Sequence, residues 1–285
     1  MRSNGDECRA REAREVQVAG VGPRDKVNDA WDEYAPFYDW ENRQTLGRKD
    51  IPFWRRLARG AHGQVLELGS GTGRVSMPLV RSGVSLVGVD RSAAMLAGAV
   101  RRARAWRRRG GQRTGGGRLT LVRGDIRALP FDASSFAMVI APYGVLQSLL
   151  TARDLRHTLR EVSRVLSPGG LFGVDLVPDV PNWKQYRDRV RLRGRAAGGA
   201  RLTLIESVRH DPGRHLTTFD ERYVERRGRR VAEHRFELTF RTIPMRRMAA
   251  RIESAGFGLA AVLGDYRGGP WDQRSDAWII VARKS

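Results

Sequence analysis

The chain has 285 residues, 41% of them hydrophobic and 29% charged, which excludes collagen, wholesale disorder and disulfide-scaffold classes and leaves length for about two domains or one α/β domain with an insertion. Fifty-two Lys+Arg against 31 Asp+Glu give a formal +21, a balance that ordinarily points to nucleic acid or an anionic membrane. Lysine occurs only at 26, 49, 184 and 284, so the excess is arginine, as GC-rich coding produces without selection for binding, and the charge is discounted accordingly.

Residues 1–27 carry charges of both signs without helical or strand periodicity and read as a flexible extension. Cys8, the single cysteine, lies there, so neither a disulfide framework nor a cysteine metal site is expected. With no run of signal length and no apolar stretch near the roughly 18 residues that span a bilayer, the expectation is a cytoplasmic protein without a membrane anchor.

From Trp31 to Arg59, aromatic residues alternate with Asp and Glu at helical spacing, predicting a helical N-terminal cap. Short apolar strands follow at Gln64–Leu68, Val84–Asp90, Leu119–Arg123, Ala137–Ala141 and Leu171–Leu176, with helices over Val75–Arg81, Ala93–Arg109 and Asp154–Leu166 between them. That alternation predicts a parallel α/β sheet. The Gly- and Arg-rich stretch between Arg109 and Leu119 reads as a solvated loop, or else as an anion-binding patch.

Beyond residue 180 the period falls to two. Leu202, Leu204 and Glu206, then Phe236, Leu238 and Phe240, predict an inserted antiparallel sheet over about 182–243, with turns at Asp211–Gly213 and Arg226–Arg229. A helix over Met245–Ala255 and strands over Leu259–Asp265 and Ala277–Arg283 return to the α/β pattern. The expected organisation is an extension (1–27), a cap and core (28–181), the insert (182–243) and a C-terminal completion of the core sheet (244–285).

The sharpest signal is Val65-Leu66-Glu67-Leu68-Gly69-Ser70-Gly71-Thr72-Gly73-Arg74, a strand, a Gly-spaced turn and a helix, where backbone without Cβ atoms approaches a ligand closely. Its glycines are spaced by two, unlike the G-x-G-x-x-G of dinucleotide sites. Glu67 would repel pyrophosphate and welcome a cationic amino-acid moiety. Asp90 ends the second strand, placed to accept both hydroxyls of a ribose, which suits NAD and an adenosyl ligand equally. Asp125 follows the third strand as an acceptor for an adenine amine, with Ile126 to cover the ring.

On these motifs, with Ser167-Pro168-Gly169-Gly170 before the fifth strand, the chain resembles a class I S-adenosylmethionine-dependent methyltransferase over about residues 30–283. The resemblance implies a Rossmann-like seven-stranded sheet, mostly parallel with its last strand antiparallel, and S-adenosyl-L-methionine across the strand ends. It places Gly69, Gly71, Asp90 and Asp125 on the cofactor, and the expected cofactor set is completed by Tyr34, Glu67, Ser70, Gly73, Arg91, Ile126 and Ala141. The Tyr34-Ala35-Pro36-Phe37-Tyr38-Asp39 segment and the insert resemble those of glycine and amino-sugar N-methyltransferases, although Tyr34 and Tyr38, at i,i+4, would equally pack a helix.

Methyl transfer is an in-line displacement that asks mainly for alignment and exclusion of water. The family places acceptor-facing residues at the end of the fourth strand, here Tyr143 and Gln147, and Gln147 stands where the amino-sugar enzymes carry a histidine. Glutamine cannot take a proton at neutral pH, so both residues are expected to position the acceptor. Tyr38, Tyr223, Arg241, Tyr266 and Trp271 are candidate contacts for a small polar or carboxylated molecule, each equally readable as packing. No histidine spacing suggests a metal.

The leading reading is transfer of a methyl group to nitrogen or oxygen of a small polar acceptor. An RNA or other nucleic-acid methyltransferase using the basic surface is the alternative; against it stand the poorly placed Cys8 and the absence of a polar residue before Pro142-Tyr143. A non-catalytic adenosyl-binding protein is the third class, and a nicotinamide oxidoreductase the least supported.

Overall fold

A computed structural model describes residues 26–45, 47–110, 116–178 and 185–285. The expected extension and the centre of the Gly/Arg-rich loop fall mostly outside the described residues. The first element is α1 (Lys26–Gln44), followed by α2 (Ile51–Arg59), which carries Pro52 in its first turn, where a missing N–H costs nothing.

The strands that follow are β1 (Val65–Leu68), β2 (Leu86–Asp90), β3 (Leu119–Arg123), β4 (Phe136–Ala141) and β5 (Leu166–Leu176). Between them run α3 (Ser76–Arg81), α4 (Ala93–Arg108) and α5 (Ala152–Val165). The chain continues through β6 (Tyr186–Arg195), β7 (Arg201–Asp211), β8 (Leu216–Arg227) and β9 (Arg230–Arg241), then α6 (Met245–Glu253), β10 (Phe257–Leu263) and β11 (Trp278–Lys284).

Seven strands form the main sheet in the order β10-β11-β5-β4-β1-β2-β3. β1 to β5 pair in parallel, whereas β11 runs antiparallel to both β5 and β10. The expected α/β sheet with a reversed last strand is thus present. Side chains alternate between its faces: Leu66, Val87, Val139 and Val174 meet α5 and α6 on one side, and Val65, Leu86, Met138 and Ile140 meet α2, α3 and α4 on the other. Burial on both faces explains why these strands read as continuous apolar runs.

β5 departs from expectation. The Ser167-Pro168-Gly169-Gly170 turn does not precede the strand but is an excursion inside it: Leu166 pairs with Phe136, Gly169 adopts φ 72°, and pairing resumes at Leu171 with Met138. Leu166, fully buried, is worth more in the sheet than as a loop residue.

The insert forms its own sheet, ordered β6-β7-β8-β9 and antiparallel throughout. One face buries Leu202, Leu204, Tyr223, Phe236 and Leu238 against Tyr34, Phe37 and Trp40 of α1. The other carries exposed charge pairs such as Arg209–Asp220 at 2.8 Å, worth little at the surface. α1 is therefore the layer shared between the two sheets, and polar contacts fix it. Asp32 accepts from Ser92 Oγ and from Ala94 N at 3.2 Å, capping α4, and Asp39 Oδ1 accepts from Thr72 Oγ1 at 2.6 Å.

Asp50, completely buried before α2, accepts a bidentate pair from Arg74 at 2.7 and 2.8 Å. Replacing one partner leaves the other as an uncompensated buried charge, so Asp50→Ala is expected to cost about 3–5 kcal/mol of unfolding free energy. Urea denaturation checks this, and a loss below about 1 kcal/mol, the level of a surface pair, would contradict it.

Candidate functional site

The carboxyl ends of β1, β2, β4 and β5 open into one cavity of about 550 Å3, closed on the other side by α1 and by β7, β8 and β9 of the insert. Its floor is the Gly-spaced turn. Gly69 and Gly71 lie in the left-handed region, at φ 60° and 52°, which a side chain rarely adopts. A Cβ on Gly69 would come within 2.3 Å of Val145 in the turn after β4. Only glycine lets these two loops meet.

Asp90 fixes that turn. Its Oδ2 accepts from Gly71 N at 2.7 Å and its Oδ1 from Ser92 N at 2.9 Å. Burial, the largest influence, raises its carboxyl above the ordinary range, while the two N–H bonds pull it back. Of the residues expected from the sequence to bind a cofactor, Asp90, Arg91, Ile126, Gly69, Gly71 and Tyr34 line the cavity.

The other cofactor candidates stand outside the lining. Glu67 is buried and takes a 2.5 Å bond from Ser76 Oγ. Ser70 packs under Gly88, Gly73 packs on Ala99, and Ala141 is buried in the core. Asp125 is occupied by Arg127, whose Nη2 lies 2.7 Å from Oδ2 and whose backbone N–H donates to Oδ1 at 2.8 Å; the arginine two residues on competes for the carboxylate, a local effect the strand-end pattern does not register.

At the acceptor side, Tyr143 and Gln147 both line the cavity. Tyr143 has φ 62°, an unusual conformation for a residue with a side chain. The Arg74 guanidinium sits over its ring at 5.0 Å from the centroid, and burial raises its phenol, which remains a hydrogen-bond donor. Gln147 is engaged by the chain itself: its Nε2 donates to Val177 O at 3.1 Å and its Oε1 accepts from Val177 N at 2.8 Å. The amide therefore holds the segment leaving β5, with one N–H of its Nε2 beyond that bond, at the cavity wall.

Of the candidate substrate contacts, Tyr38 and Tyr266 line the cavity. Tyr223 lies behind the lining, fully buried, with its hydroxyl 2.5 Å from Glu41 Oε2. Arg241 and Trp271 are also outside it, and Trp271 packs edge-on to Trp278. Sequence reasoning missed Asp175, the buried acid that ends β5: it accepts from Gly144 N at 3.1 Å and Tyr266 OH at 2.6 Å, and burial lifts it to about 6. It also missed Glu41, Asn42, Glu206 and Glu221, all of which line the cavity. The available signals were an acid at a fourth strand end, and glutamates in inward register on β7 and β8. Among the described residues no group of three or more His, Cys, Asp or Glu is arranged to hold a metal, and no helix is long and apolar enough to cross a membrane.

The family described as a methyltransferase domain matches residues 65–170, which run from β1 into β5 and include the Gly-spaced turn and Asp90. The demethylmenaquinone methyltransferase of Renibacterium salmoninarum is 32% identical over 151 residues, 51% of this chain and 56% of that protein, so the match spans little more than half of that relative. The putative methyltransferase YqeM of Bacillus subtilis is 23% identical over 270 residues, 91% of this chain and 95% of its own. Among solved structures, the CcbJ methyltransferase from Streptomyces caelestis superposes with a TM-score of 0.73 at 24% identity, covering 90% of this chain and 98% of that one. The sugar N-methyltransferase KedS8 from Streptoalloteichus superposes at 0.69 and 16% identity, covering 96% and 100%. The two solved structures share the fold of this chain over nearly its whole length, α1 and the insert included.

Burial raises the carboxyl of Glu67, in β1, from 4.5 to about 8. The folded chain then holds a proton that the unfolded chain releases, so this residue's contribution to stability is complete below pH 4.5 and declines as pH rises towards 8. Glu67→Gln is neutral throughout, and its melting temperature is expected to gain on the wild type progressively across that window in thermal unfolding scans. A difference that does not change with pH would show that Glu67 ionises normally.

Proposed function

We propose that the protein is an S-adenosylmethionine-dependent methyltransferase that transfers a methyl group to nitrogen or oxygen of a small polar molecule. The observation that carries this reading is the single cavity in which the Gly69–Gly71 turn and Asp90 face Tyr143, Tyr38 and Asp175 beneath a roof of α1 and the insert. The donor set fits the cofactor. Both Asp90 oxygens are oriented by backbone N–H groups and retain lone pairs for a ribose diol, Ile126 offers an apolar wall, and the missing Cβ atoms at Gly69 and Gly71 leave room for close approach.

When bound, S-adenosylmethionine supplies an electrophilic methyl carbon on a sulfonium. The work left to the chain is alignment and exclusion of water. α1, pinned by Asp32 and Asp39, closes the cavity from above. The phenol of Tyr143, backed by Arg74, is a fixed donor on the wall. Tyr266 and Gly144 N hold Asp175, and Gln147 holds the Val177 segment against the turn after β4. The same roof disfavours a duplex as acceptor, which is why the small-molecule reading is preferred to a nucleic-acid one.

The test is isothermal titration of the purified chain with S-adenosylmethionine, S-adenosylhomocysteine and NAD. Micromolar binding of the two adenosyl ligands and none of NAD is expected. Asp90→Ala should weaken adenosyl binding by about 10- to 100-fold, the worth of one or two charge-assisted hydrogen bonds. Equal binding by this variant, or no adenosyl binding by the wild type, would sink the proposal. With an acceptor in hand, Tyr143→Ala is expected to cut turnover at least about 10-fold while leaving cofactor affinity unchanged; unaltered turnover would remove Tyr143 from the site.

A further inference from the structure

The roof of the cavity is acidic in a way that the packing of two sheets does not require. Glu206 on β7 and Glu221 on β8 are direct cross-strand partners, and both are buried, at 7% and 4% exposure. Like charges opposite one another destabilise a sheet. Glu41 of α1 approaches the same place: its Oε2 accepts from Tyr34 OH and from Tyr223 OH, each at 2.5 Å, and the Tyr223 hydroxyl lies 3.2 Å from Glu221 Oε2. Glu206 accepts from Tyr186 OH and pairs with Arg191 at 3.1 Å.

The Arg191 guanidinium that pairs with Glu206 is itself 47% exposed, and His210 of β7 lines the same cavity. Burial, followed by the mutual repulsion of the glutamates, holds Glu221 well above the ordinary carboxylate range, and burial does the same to Glu41.

A second observation points independently to a hydrogen-bond-donating ligand. Residues 31, 34, 38, 41 and 42 form one face of α1 and, with Thr45 just beyond its end, line the cavity. Asn42 on that face is 5% exposed; its Nδ2 donates to Tyr38 O at 2.9 Å, while its Oδ1 has no partner. An orphaned acceptor in a wall of carboxylates wants N–H or O–H groups. Trp31, Tyr34, Tyr38, Phe219 and Phe240 also line the cavity, and aromatic ring faces attract cations.

We infer that the methyl acceptor is an amine that enters as its ammonium, seated against the carboxyl groups of Glu41, Glu206 and Glu221; one of these carboxylates takes a proton from it, so that the freed nitrogen lone pair forms the N–C bond as the methyl leaves the sulfonium sulfur. The inference rests on the methyltransferase reading and narrows it. A neutral alcohol would satisfy Asn42 but leave the facing glutamates unrelieved; a positive charge relieves both. In this account the cross-strand glutamates are a stability cost retained for recognition.

The experiment uses the full chain, with and without saturating S-adenosylhomocysteine, titrated calorimetrically with two isosteric pairs, cyclohexylamine against cyclohexanol and 2-phenylethylamine against 2-phenylethanol. Each amine is expected to bind at least about 10-fold more tightly than its alcohol. Glu206→Gln and Glu221→Gln should each remove that preference, keep S-adenosylhomocysteine affinity within about 3-fold, and melt no lower than the wild type because a like-charge pair has been relieved. Amine and alcohol binding alike, or a preference that survives both substitutions, would overturn the inference. If the wild type fails to bind S-adenosylhomocysteine, the cofactor reading falls on that arm alone, since amine preference is read separately on the free protein.

Discussion

The site hangs on the contact between the Asp90 carboxylate and the Gly71 N–H, 2.7 Å long. It joins the ends of two adjacent parallel strands, and it forms only because Gly69 and Gly71 turn through left-handed backbone that brings the amide to the acid. Once that corner is set, α4 must begin at Ser92, whose hydroxyl accepts from Met95 N at 3.0 Å and donates to Asp32 of α1. One carboxylate thereby determines where the cap helix crosses the strand ends, and through that helix where the insert can pack. A substitution at Asp90 would be felt both as a lost ligand contact and as a loosened corner, so the proposed cofactor chemistry and the local fold share their atoms.

The roof is organised by the opposite arrangement, charges brought together without enough counter-charge. Packing alone would be served by apolar residues at positions 206 and 221, since their neighbours of the same register, Leu202, Leu204 and Tyr223, are fully or nearly buried and apolar or aromatic. Tyrosine hydroxyls from α1 and β8 converge on Glu41 instead of water, which leaves the cavity wall preorganised: the carboxyl groups are held by rigid partners, and a ligand would not have to order them.

Much of the fold was legible because its signals are local. Periodicity located all seven core strands to within a few residues, and β3 at its observed bounds, because strands buried on both faces carry unbroken apolar runs. Alternation along Leu202–Glu206 and Phe236–Phe240 marked the insert, because its sheet has one dry face and one wet one. The fifth strand misled, since Pro168 and Gly169 read as a turn whereas Leu166 is drawn back into the sheet by its own burial. In the site, Gly69, Gly71 and Asp90 were readable because motif spacing encodes their geometry. Asp125 and Gln147 were readable as positions, but their partners Arg127 and Val177 were not, because such pairings are settled only in three dimensions. The glutamates of the roof come from α1, β7 and β8, so no spacing along the chain brings them together.

The charge of the whole molecule and the charge of its cavity point in opposite directions, and distance decides between them. The formal +21 would repel a cationic acceptor in a medium without salt, but at physiological ionic strength exposed arginines act over about 8 Å. The carboxyl groups of Glu41, Glu206 and Glu221 stand within the cavity wall, where a lower effective dielectric makes whichever of them is ionised act strongly on a nearby cation, and a cation in turn favours their ionised forms. An ammonium approaching the protein would meet little net repulsion until it reached the mouth, and attraction from there inward. The arginine-rich exterior therefore carries little information about the acceptor, and the few buried acids carry most of it.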